Sequence, residues 1–571
     1  MNFSEIPYAR PNTDAFCQAA ERTIAAIESA GSAQEQLDAF AAYNKLYGNV
    51  STMKALVHVR SETDTEDPFY ICERNFFNKA NPVLDQADLR VVQALMRSRF
   101  RPELEQTLGS TLFANYEIAA RAAAPEIVEL MQEENRLTRA YQSLAASATA
   151  DFQGKTLPLQ KLGFYKQSPD RAVRRAAYQA EGEFYDAHRE EYDQIYDDLV
   201  KNRTAQAKRL GYENYLPLGY DRMGRNCYGQ EKLAAFREQI VREIVPLVAE
   251  IKAAQARRLG VDKLKFHDDT ILFPGGNALP KGTPEEIIEA GRRAYTDFSP
   301  ETAEYAKVLF GNEMIDVLPR KGKAPGGYCV EIYDEKSTFI FANFNGTSAD
   351  TDVLVHEGGH GFGFYRSMIQ KGRPPQLLVP TADGRETHAM TMEFLLSDYY
   401  PLFYGENAQQ YELEHCETSF THIPYMCQVD EFQHIIYEQP GLTPEERNRT
   451  WLELEKKYRP WNDFDALPFY GRGAGWQRQL HIYQHPLFYI DYSLAQIVAF
   501  QFWFLWQTDK QEAWRRYLSF LDKGGTENFE ELVSGAGLKL PYEPGCLKDI
   551  GQAVMEWLRA HAPEDDNNKT V

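Results

Sequence analysis

The sequence predicts a mainly helical protein that carries one small β-sheet. Amphipathic, alanine-rich runs recur up to about residue 155, for example over Asp14–Ser29, Ala33–Tyr47 and Glu117–Ala148, and their apolar residues have helical spacing. A longer run with the same spacing follows over residues 168–211. The clearest strand pattern, with aromatic and β-branched residues on either side of a polar turn, lies over residues 327–345.

The length of 571 residues is enough for two or more lobes. We place a boundary near residue 155, which gives a helical N-terminal lobe over residues 1–155 and a second region over residues 156–571. Breaks between helices of the N-terminal lobe are expected at Thr63–Pro68 and at Asn81-Pro82. The polar stretch Ala562–Val571 is expected to be frayed.

Composition restricts the partners and the compartment. The net charge of −21 argues against binding to nucleic acid or to anionic membranes. The amino-terminal residues lack the pattern of a secretory signal, and the longest mostly apolar run, Ser493–Trp506, is too short to span a bilayer. Seven scattered cysteines without a Cys-x-x-Cys pair indicate reduced thiols. We therefore expect a cytoplasmic protein with no nucleic-acid or membrane partner.

A long helix is predicted to begin at Ser168-Pro169-Asp170, with serine as the capping residue and proline in the first helical position. Its apolar pattern continues to Leu210-Gly211, where glycine suits a helix C-terminus. Even if Gly182 bends it, such an element would reach roughly 60 Å. We expect it to form a wall between lobes.

The strand pattern comprises Gly327–Asp334 and Ser337–Asn345, which are predicted to pair as a β-hairpin. An edge of such a sheet can accept an extended peptide as an additional strand. A small structural sheet would give the same pattern, so both interpretations stay open.

The segment after the hairpin, residues 351–365, reads as a metal-binding helix. It contains His356-Glu357-Gly-Gly-His360 behind an apolar run. On an α-helix two histidines four residues apart lie on one face and can hold one metal ion. Glu357 lies on the same turn and could take a proton from a water that the metal activates. The alternative is a surface helix that carries two histidines by chance.

A catalytic zinc site needs a third protein ligand. Glu386, in the first turn of the next predicted helix, could face back towards the two histidines. Glu393, seven residues later, lies on the same face and could accept the second ring N–H of a ligand histidine. His388 is a competitor for the third position, but it points about 200° around the helix from Glu386.

These motifs together resemble the M3 (thimet oligopeptidase) family of zinc metallopeptidases, and within it the bacterial oligoendopeptidase F and Pz-peptidase type. His-Glu-x-x-His is followed after 25 residues by one glutamate and seven residues further on by another. The segments that resemble this branch cover most of the chain: Phe3–Pro11, Ser168–Arg174, Lys323–Cys329, Glu386–Phe394 and Tyr489–Gln496.

The resemblance implies a two-lobed helical ellipsoid with a deep central channel and a small β-sheet beside the zinc helix. It implies one zinc ion at the channel floor, held by His356, His360 and Glu386, with Glu357 as general base and residues 156–571 as the catalytic region. The channel would admit short, unstructured peptides and exclude folded proteins. We therefore expect a zinc endopeptidase that acts on oligopeptides.

The family also uses a histidine and tyrosines of a C-terminal loop to hold the substrate and the developing oxyanion. The matching residues here are His481, Tyr489 and Tyr492, with a spacing one residue shorter than in the thimet branch. The alternative for Tyr489 is aromatic packing at the start of the Ser493–Trp506 helix.

The zinc helix departs from the family by its four glycines, Gly358, Gly359, Gly361 and Gly363. A glycine inside a helix costs roughly 1 kcal/mol relative to alanine. Two explanations stay open, which are close approach of a neighbouring element and space for substrate beside the metal.

Two other functions fit parts of the pattern. A zinc carboxypeptidase of the M32 type shares His-Glu-x-x-His and a helical channel, but the matched segments outside the zinc helix favour the oligoendopeptidase branch. A peptide-binding protein without catalysis would be expected to lack Glu357 or a ligand, and all four positions are filled.

Overall fold

The computed structural model describes residues 1–122 and 124–562. The protein is 72% helical with only small sheets, which confirms the predicted fold class. The stretch predicted to be frayed lies outside the described residues, apart from Ala562.

The helices and strands are numbered in chain order. The α-helices are α1 Thr13–Ser29, α2 Ala33–Thr63, α3 Pro68–Met96, α4 Arg101–Leu108, α5 Ser110–Ala122, α6 Val128–Ala146, α7 Leu162–Lys166, α8 Arg171–Ala187, α9 Arg189–Arg209, α10 Tyr215–Arg222, α11 Gln230–Gln239, α12 Val245–Arg258, α13 Pro284–Phe298, α14 Pro300–Gly311, α15 Ala349–Tyr365, α16 Ala382–Leu395, α17 Tyr400–Tyr404, α18 Ala408–Glu438, α19 Pro444–Tyr458, α20 Pro468–Gly471, α21 Leu480–Gln484, α22 Ile490–Thr508, α23 Lys510–Leu521, α24 Phe529–Gly535 and α25 Cys546–His561. The strands are β1 Thr149–Phe152, β2 Lys155–Pro158, β3 Ile315–Asp316, β4 Tyr328–Ile332 and β5 Ser337–Phe341.

The chain forms two compact units, each made of three segments. Unit 1 comprises Met1–Ala120, Leu279–Glu406 and Val498–Leu538. Unit 2 comprises Arg121–Ala278, Asn407–Ile497 and Lys539–Val571. The boundary that the sequence places at residue 155 stays a prediction.

The N-terminal helices of unit 1 pack around an apolar core that includes Phe16, Phe40, Leu84 and Val91. Helix α2 ends at Thr63 and α3 begins at Pro68, as predicted. The predicted break at Asn81-Pro82 is wrong, because α3 continues through Pro82. A proline inside a helix costs about 3 kcal/mol, and burial of the apolar face of α3 in this core offsets that cost.

The predicted hairpin is present in unit 1. Strands β4 and β5 pair antiparallel, with Tyr328 opposite Phe341 and Ile332 opposite Ser337. The short strand β3 pairs parallel to the other edge of β5, so β5 is the central strand and is buried along its length. Helix α15 packs against β4 and β5, which places the sheet beside the helix that carries His356 and His360, as predicted.

Unit 2 corrects the prediction of one long helix. Helix α8 begins at Arg171 after Asp170, whose Oδ1 accepts from the Ala172 N–H at 2.8 Å, so the cap is Asp170 and not Ser168. The chain leaves helical geometry at His188, and α9 starts one residue later. Gly182, the expected bend, lies inside α8 where its backbone packs against Phe469.

Unit 2 also contains a hairpin that the sequence analysis missed. Strands β1 and β2 pair antiparallel across Gln153-Gly154, and both turn residues have positive φ angles of 49° and 75°. Such a two-residue turn matches the twist of a hairpin. The signal in the sequence is therefore the Gln-Gly pair, since the flanking runs contain few strand-enriched residues, namely Thr149, Phe152 and Thr156.

Candidate metal centre

Helix α15 is anchored directly after the central strand of the sheet. The Asp350 carboxylate accepts from the backbone N–H groups of Asn345 and Gly346 at 2.8 and 2.7 Å. These bonds fix the turn between β5 and α15. Strand, turn and helix are thus one rigid support for the histidines that follow.

Three predicted ligands converge within unit 1. Glu386 Oε2 lies 3.5 Å from His356 Nε2 and 3.4 Å from His360 Nε2. The three ligand atoms all lie within 4.8 Å of one another. His356 keeps 22% of its side chain exposed, against 10% for His360 and 5% for Glu386. The group is therefore nearly buried and accessible from the His356 side.

The outer nitrogen of His356 has the partner that the sequence predicts. His356 Nδ1 lies 2.6 Å from Glu393 Oε1, and the Tyr400 hydroxyl donates to the Glu393 carbonyl oxygen at 2.8 Å. Burial opposes a charged His356 ring, but the hydrogen bonds to Glu386 and Glu393 outweigh it and raise the pKa of His356. Burial likewise opposes the Glu386 charge, and the two histidines outweigh it and lower the pKa of Glu386.

The donor set fits a divalent metal ion. A metal ion binds the neutral form of the His356 ring, in which the Nδ1 proton points to Glu393 and Nε2 offers its lone pair on the side of Glu386. Ligand bonds of about 2.0–2.1 Å in a tetrahedron place donor atoms about 3.4 Å apart, which the two separations to Glu386 match.

Glu357 lies one residue beyond the first histidine and is buried, with 9% exposure. Its carboxylate makes no hydrogen bond or ion pair with any residue in the described part of the chain. It is also outside the ligand group. A buried carboxylate without a structural partner is suited to accepting a proton.

The four glycines of α15 are explained by close approach of neighbouring side chains and backbone. A Cβ at Gly358 would collide with the Tyr295 hydroxyl, which donates to the Val355 carbonyl oxygen at 3.0 Å. A Cβ at Gly359 would lie 2.8 Å from Ala389 Cα of α16. At Gly361 and Gly363 it would meet the side chains Tyr305 and His388. Small residues thus let α16 and its Glu386 approach the histidines.

His388 lies outside the ligand group, in agreement with its predicted direction. Its ring is buried against Gly363 and contacts Phe520 with centroids 5.7 Å apart. Burial and the nearby His360 lower the pKa of His388 to about 3, so the ring is neutral at physiological pH. It packs the two helices together.

His481, Tyr489 and Tyr492 lie in unit 2 and contact one another. The His481 ring centroid is 4.8 Å from that of Tyr489 and 6.0 Å from that of Tyr492. All three side chains are half-buried. Burial raises the pKa of Tyr489, so its phenol keeps its proton and can donate a hydrogen bond.

Two partners of this cluster were missed from the sequence. His422 Nε2 lies 3.1 Å from the Tyr489 hydroxyl, and Gln479 Nε2 lies 2.7 Å from His481 Nδ1. Gln479 is two residues from His481 and could have been proposed from that proximity. His422 is 67 residues from Tyr489, and nothing in the local sequence indicates the contact.

Family models match most of the chain. Residues 3–123 match the peptidase M3 N-terminal domain, and residues 164–270 and 296–552 match peptidase family M3. The chain belongs to peptidase family M3. The family predicted from the motifs is thereby confirmed.

Two solved structures are similar to this chain over nearly its full length. Pz peptidase A, solved with an inhibitor, is 41% identical with a TM-score of 0.92, covering 98% of this chain and 99% of that one. A protein of Bacillus anthracis str. Ames described as an oligoendopeptidase F is 37% identical with a TM-score of 0.87, covering 100% of this chain and 99% of that one.

Among curated relatives, the chromosomal oligoendopeptidase F of Lactococcus lactis subsp. cremoris is 24% identical over 402 residues, or 66% of this chain. The match spans 62% of that relative, so the chain covers less than two thirds of its length. No helix in the described residues of this M3 protein has the length and apolar character needed to cross a membrane.

Proposed function

We propose that the protein is a zinc-dependent endopeptidase that hydrolyses short, unstructured oligopeptides. The observation that carries the proposal is the convergence of His356, His360 and Glu386 in one nearly buried group. Two imidazoles and a carboxylate suit zinc. The M3 family and the oligoendopeptidase names of its relatives support the reaction and the substrate class.

The proposed ligand atoms are two imidazole nitrogens and one carboxylate oxygen. His356 and His360 would hold the ion through Nε2 and Glu386 through Oε2. Glu393 orients the His356 ring through Nδ1. A bound zinc ion would supply Lewis-acid chemistry, by which water becomes more acidic and the scissile carbonyl more polar.

Glu357 is proposed as the general base and acid. Its unpartnered carboxylate accepts a proton from the attacking water and delivers it to the leaving amine nitrogen. Tyr489, Tyr492 and His481 are proposed to hold the substrate and to donate hydrogen bonds to the oxygen that becomes negative. The raised pKa of Tyr489, caused by burial, keeps that donor protonated. The cytoplasm is the proposed compartment.

The proposal is tested with Glu357→Gln and a peptide blocked at both ends. The wild-type protein should cleave this peptide internally, and a chelator should abolish cleavage. The variant should keep one zinc ion per chain and lose about 100- to 10,000-fold in kcat. The control is Glu304→Gln, a substitution at an exposed position of α14. It should leave zinc content and kcat unchanged.

Three outcomes would contradict the proposal. Cleavage by Glu357→Gln at the wild-type rate would remove the role of Glu357. A requirement for a free peptide end would indicate an exopeptidase of the M32 carboxypeptidase type. Binding of peptide to the zinc-loaded protein without cleavage would indicate a catalytically silent peptide-binding protein.

A further inference from the structure

A cavity of about 310 Å³ lies in unit 2, away from the metal ligands in sequence, and every residue that lines it belongs to unit 2. Seven of its fifteen lining residues are aromatic, among them Tyr178, Trp451 and Phe464. Arg478 and Arg459 line it as cations, and its two carboxylates, Asp269 and Glu455, are paired with Lys252 and Arg459. An aromatic cavity with a few charged groups is typical of a site that binds one defined chemical group.

The two arginines differ in how they are neutralised. Arg459 donates to Gln428 Oε1 at 3.0 Å, pairs with Glu455 and lies over the Tyr425 ring. Its charge and its hydrogen-bond donors are largely used. Arg459 therefore acts as part of the wall.

Arg478 is only partly neutralised. Its Nε lies 3.1 Å from Glu181 Oε2, and Glu181 is shared with Lys166, whose Nζ is 2.6 Å from Oε1. One carboxylate thus serves two cations. Burial opposes the charge of Glu181, but Arg478 and Lys166 outweigh it and lower its pKa to about 2, so this carboxylate is already ionised.

The outer edge of the Arg478 guanidinium is available. No hydrogen bond joins its two terminal nitrogens to any residue that the structure describes, and 34% of the side chain is exposed. A planar guanidinium with both terminal nitrogens open matches a carboxylate in a two-bond arrangement. The surrounding aromatic rings limit water, which strengthens such a pair.

The cavity adjoins residues that the proposed function assigns to substrate. Tyr489 lines it, and Gln479, the neighbour of Arg478 in the chain, contacts His481 Nδ1 at 2.7 Å. A peptide held by Tyr489 and His481 would therefore have one of its groups beside Arg478.

We propose that this cavity receives a carboxylate of the peptide substrate, which pairs with the terminal nitrogens of Arg478 while its apolar stem packs on the aromatic walls. The inference rests on the proposed function for its link to peptides. The carboxylate comes from an aspartate or glutamate side chain or from the C-terminus of the peptide. Arg478 is thus a specificity-determining residue.

Matched peptides test the proposal. One series moves a single glutamate through a blocked peptide and compares each member with its glutamine counterpart; a second pair has a free or an amidated C-terminus. At one position, or at the C-terminus, the carboxylate should raise kcat/KM about 10- to 100-fold. The measured quantity is the ratio of kcat/KM for the carboxylate peptide to kcat/KM for its neutral counterpart. In Arg478→Gln this ratio should fall to about one, and in Arg478→Lys it should be intermediate.

The control is Arg472→Gln. Arg472 pairs with Asp186 and is buried to a similar degree, with 25% exposure, but does not line the cavity. It should keep the wild-type ratio. A ratio near one for every wild-type pair would overturn the proposal, as would an equal loss for both members of a pair in Arg478→Gln.

Calorimetric binding of the same peptides to the zinc-loaded protein separates this proposal from the proposed function. Tighter binding of the carboxylate peptide without any cleavage would support the cavity and contradict the peptidase. Cleavage of both peptides of a pair with equal kcat/KM would support the peptidase and contradict the role of the cavity.

Discussion

The proposed metal-ligand region of unit 1 (His356, His360 and Glu386) and the His481–Tyr492 region of unit 2 are built by different means. In unit 1, two histidines one helical turn apart and a glutamate on a second helix are set by backbone geometry, with glycines at the helix contact. In unit 2, the side chains lie on the five-residue helix α21 and around the start of α22, and hydrogen bonds hold them, one with the neighbouring Gln479 and one with the distant His422. Helical spacing can be read from a sequence, whereas such distant contacts cannot.

The largest expected effect comes from removing a ligand in the unit 1 region. Glu386→Gln takes away the negative charge between two imidazoles. Metal content after gel filtration, measured by mass spectrometry, should fall from one ion per chain to near zero, and peptide hydrolysis should fall by more than about 1,000-fold. Full zinc content in this variant would contradict the assignment of Glu386 as a ligand.

Glu393→Gln is the matched variant for that experiment. It also replaces a carboxylate by an amide, but at a residue that contacts a proposed ligand, His356, and is not itself in the ligand group. The neutral amide oxygen accepts a weaker hydrogen bond from His356 Nδ1 than the carboxylate does, which should weaken zinc binding about 10- to 100-fold. Excess zinc should then restore activity, which it should not do for Glu386→Gln. If both variants respond alike to zinc, the two glutamates do not have different roles.

A smaller effect is expected in the unit 2 region. Tyr489→Phe removes one hydroxyl donor and should lower kcat about 100- to 1,000-fold without changing zinc content. Tyr483→Phe is a suitable control, because within the described residues its hydroxyl hydrogen-bonds only with the Tyr192 carbonyl oxygen, at 3.4 Å. An unchanged kcat for Tyr489→Phe would favour the other interpretation of this residue, aromatic packing at the start of α22.

The same difference explains what the sequence could predict. The pairing of β4 with β5 follows from aromatic and β-branched residues around a polar turn. The helix that carries His356 and His360 and the position of Glu393 follow from a period of 3.6 residues. The structure contains all three. The break at His188 and the continuation of α3 through Pro82 were missed. Packing of α3 in the N-terminal core explains the second, and such packing cannot be read from local helix propensity.

The glycines of α15 give the smallest expected effect, and it concerns stability. Helix propensity alone predicts that alanine stabilises a helix by about 1 kcal/mol relative to glycine. Gly311, the last residue of α14, tests the effect of helix propensity on stability, because an added Cβ there meets nothing within 4 Å. Gly311→Ala should raise the midpoint of urea denaturation.

Gly361→Ala should lower the same midpoint, by an amount equivalent to about 1–3 kcal/mol. Its Cβ would collide with the Tyr305 hydroxyl and lie 2.8 Å from Thr338 Oγ1, two groups that are themselves 3.0 Å apart in a hydrogen bond. Neither is the end of a flexible chain, because the Tyr305 ring is buried and Thr338 belongs to the central strand β5. If both alanine variants raise the midpoint, the glycines do not serve close packing, and space for substrate becomes the better explanation.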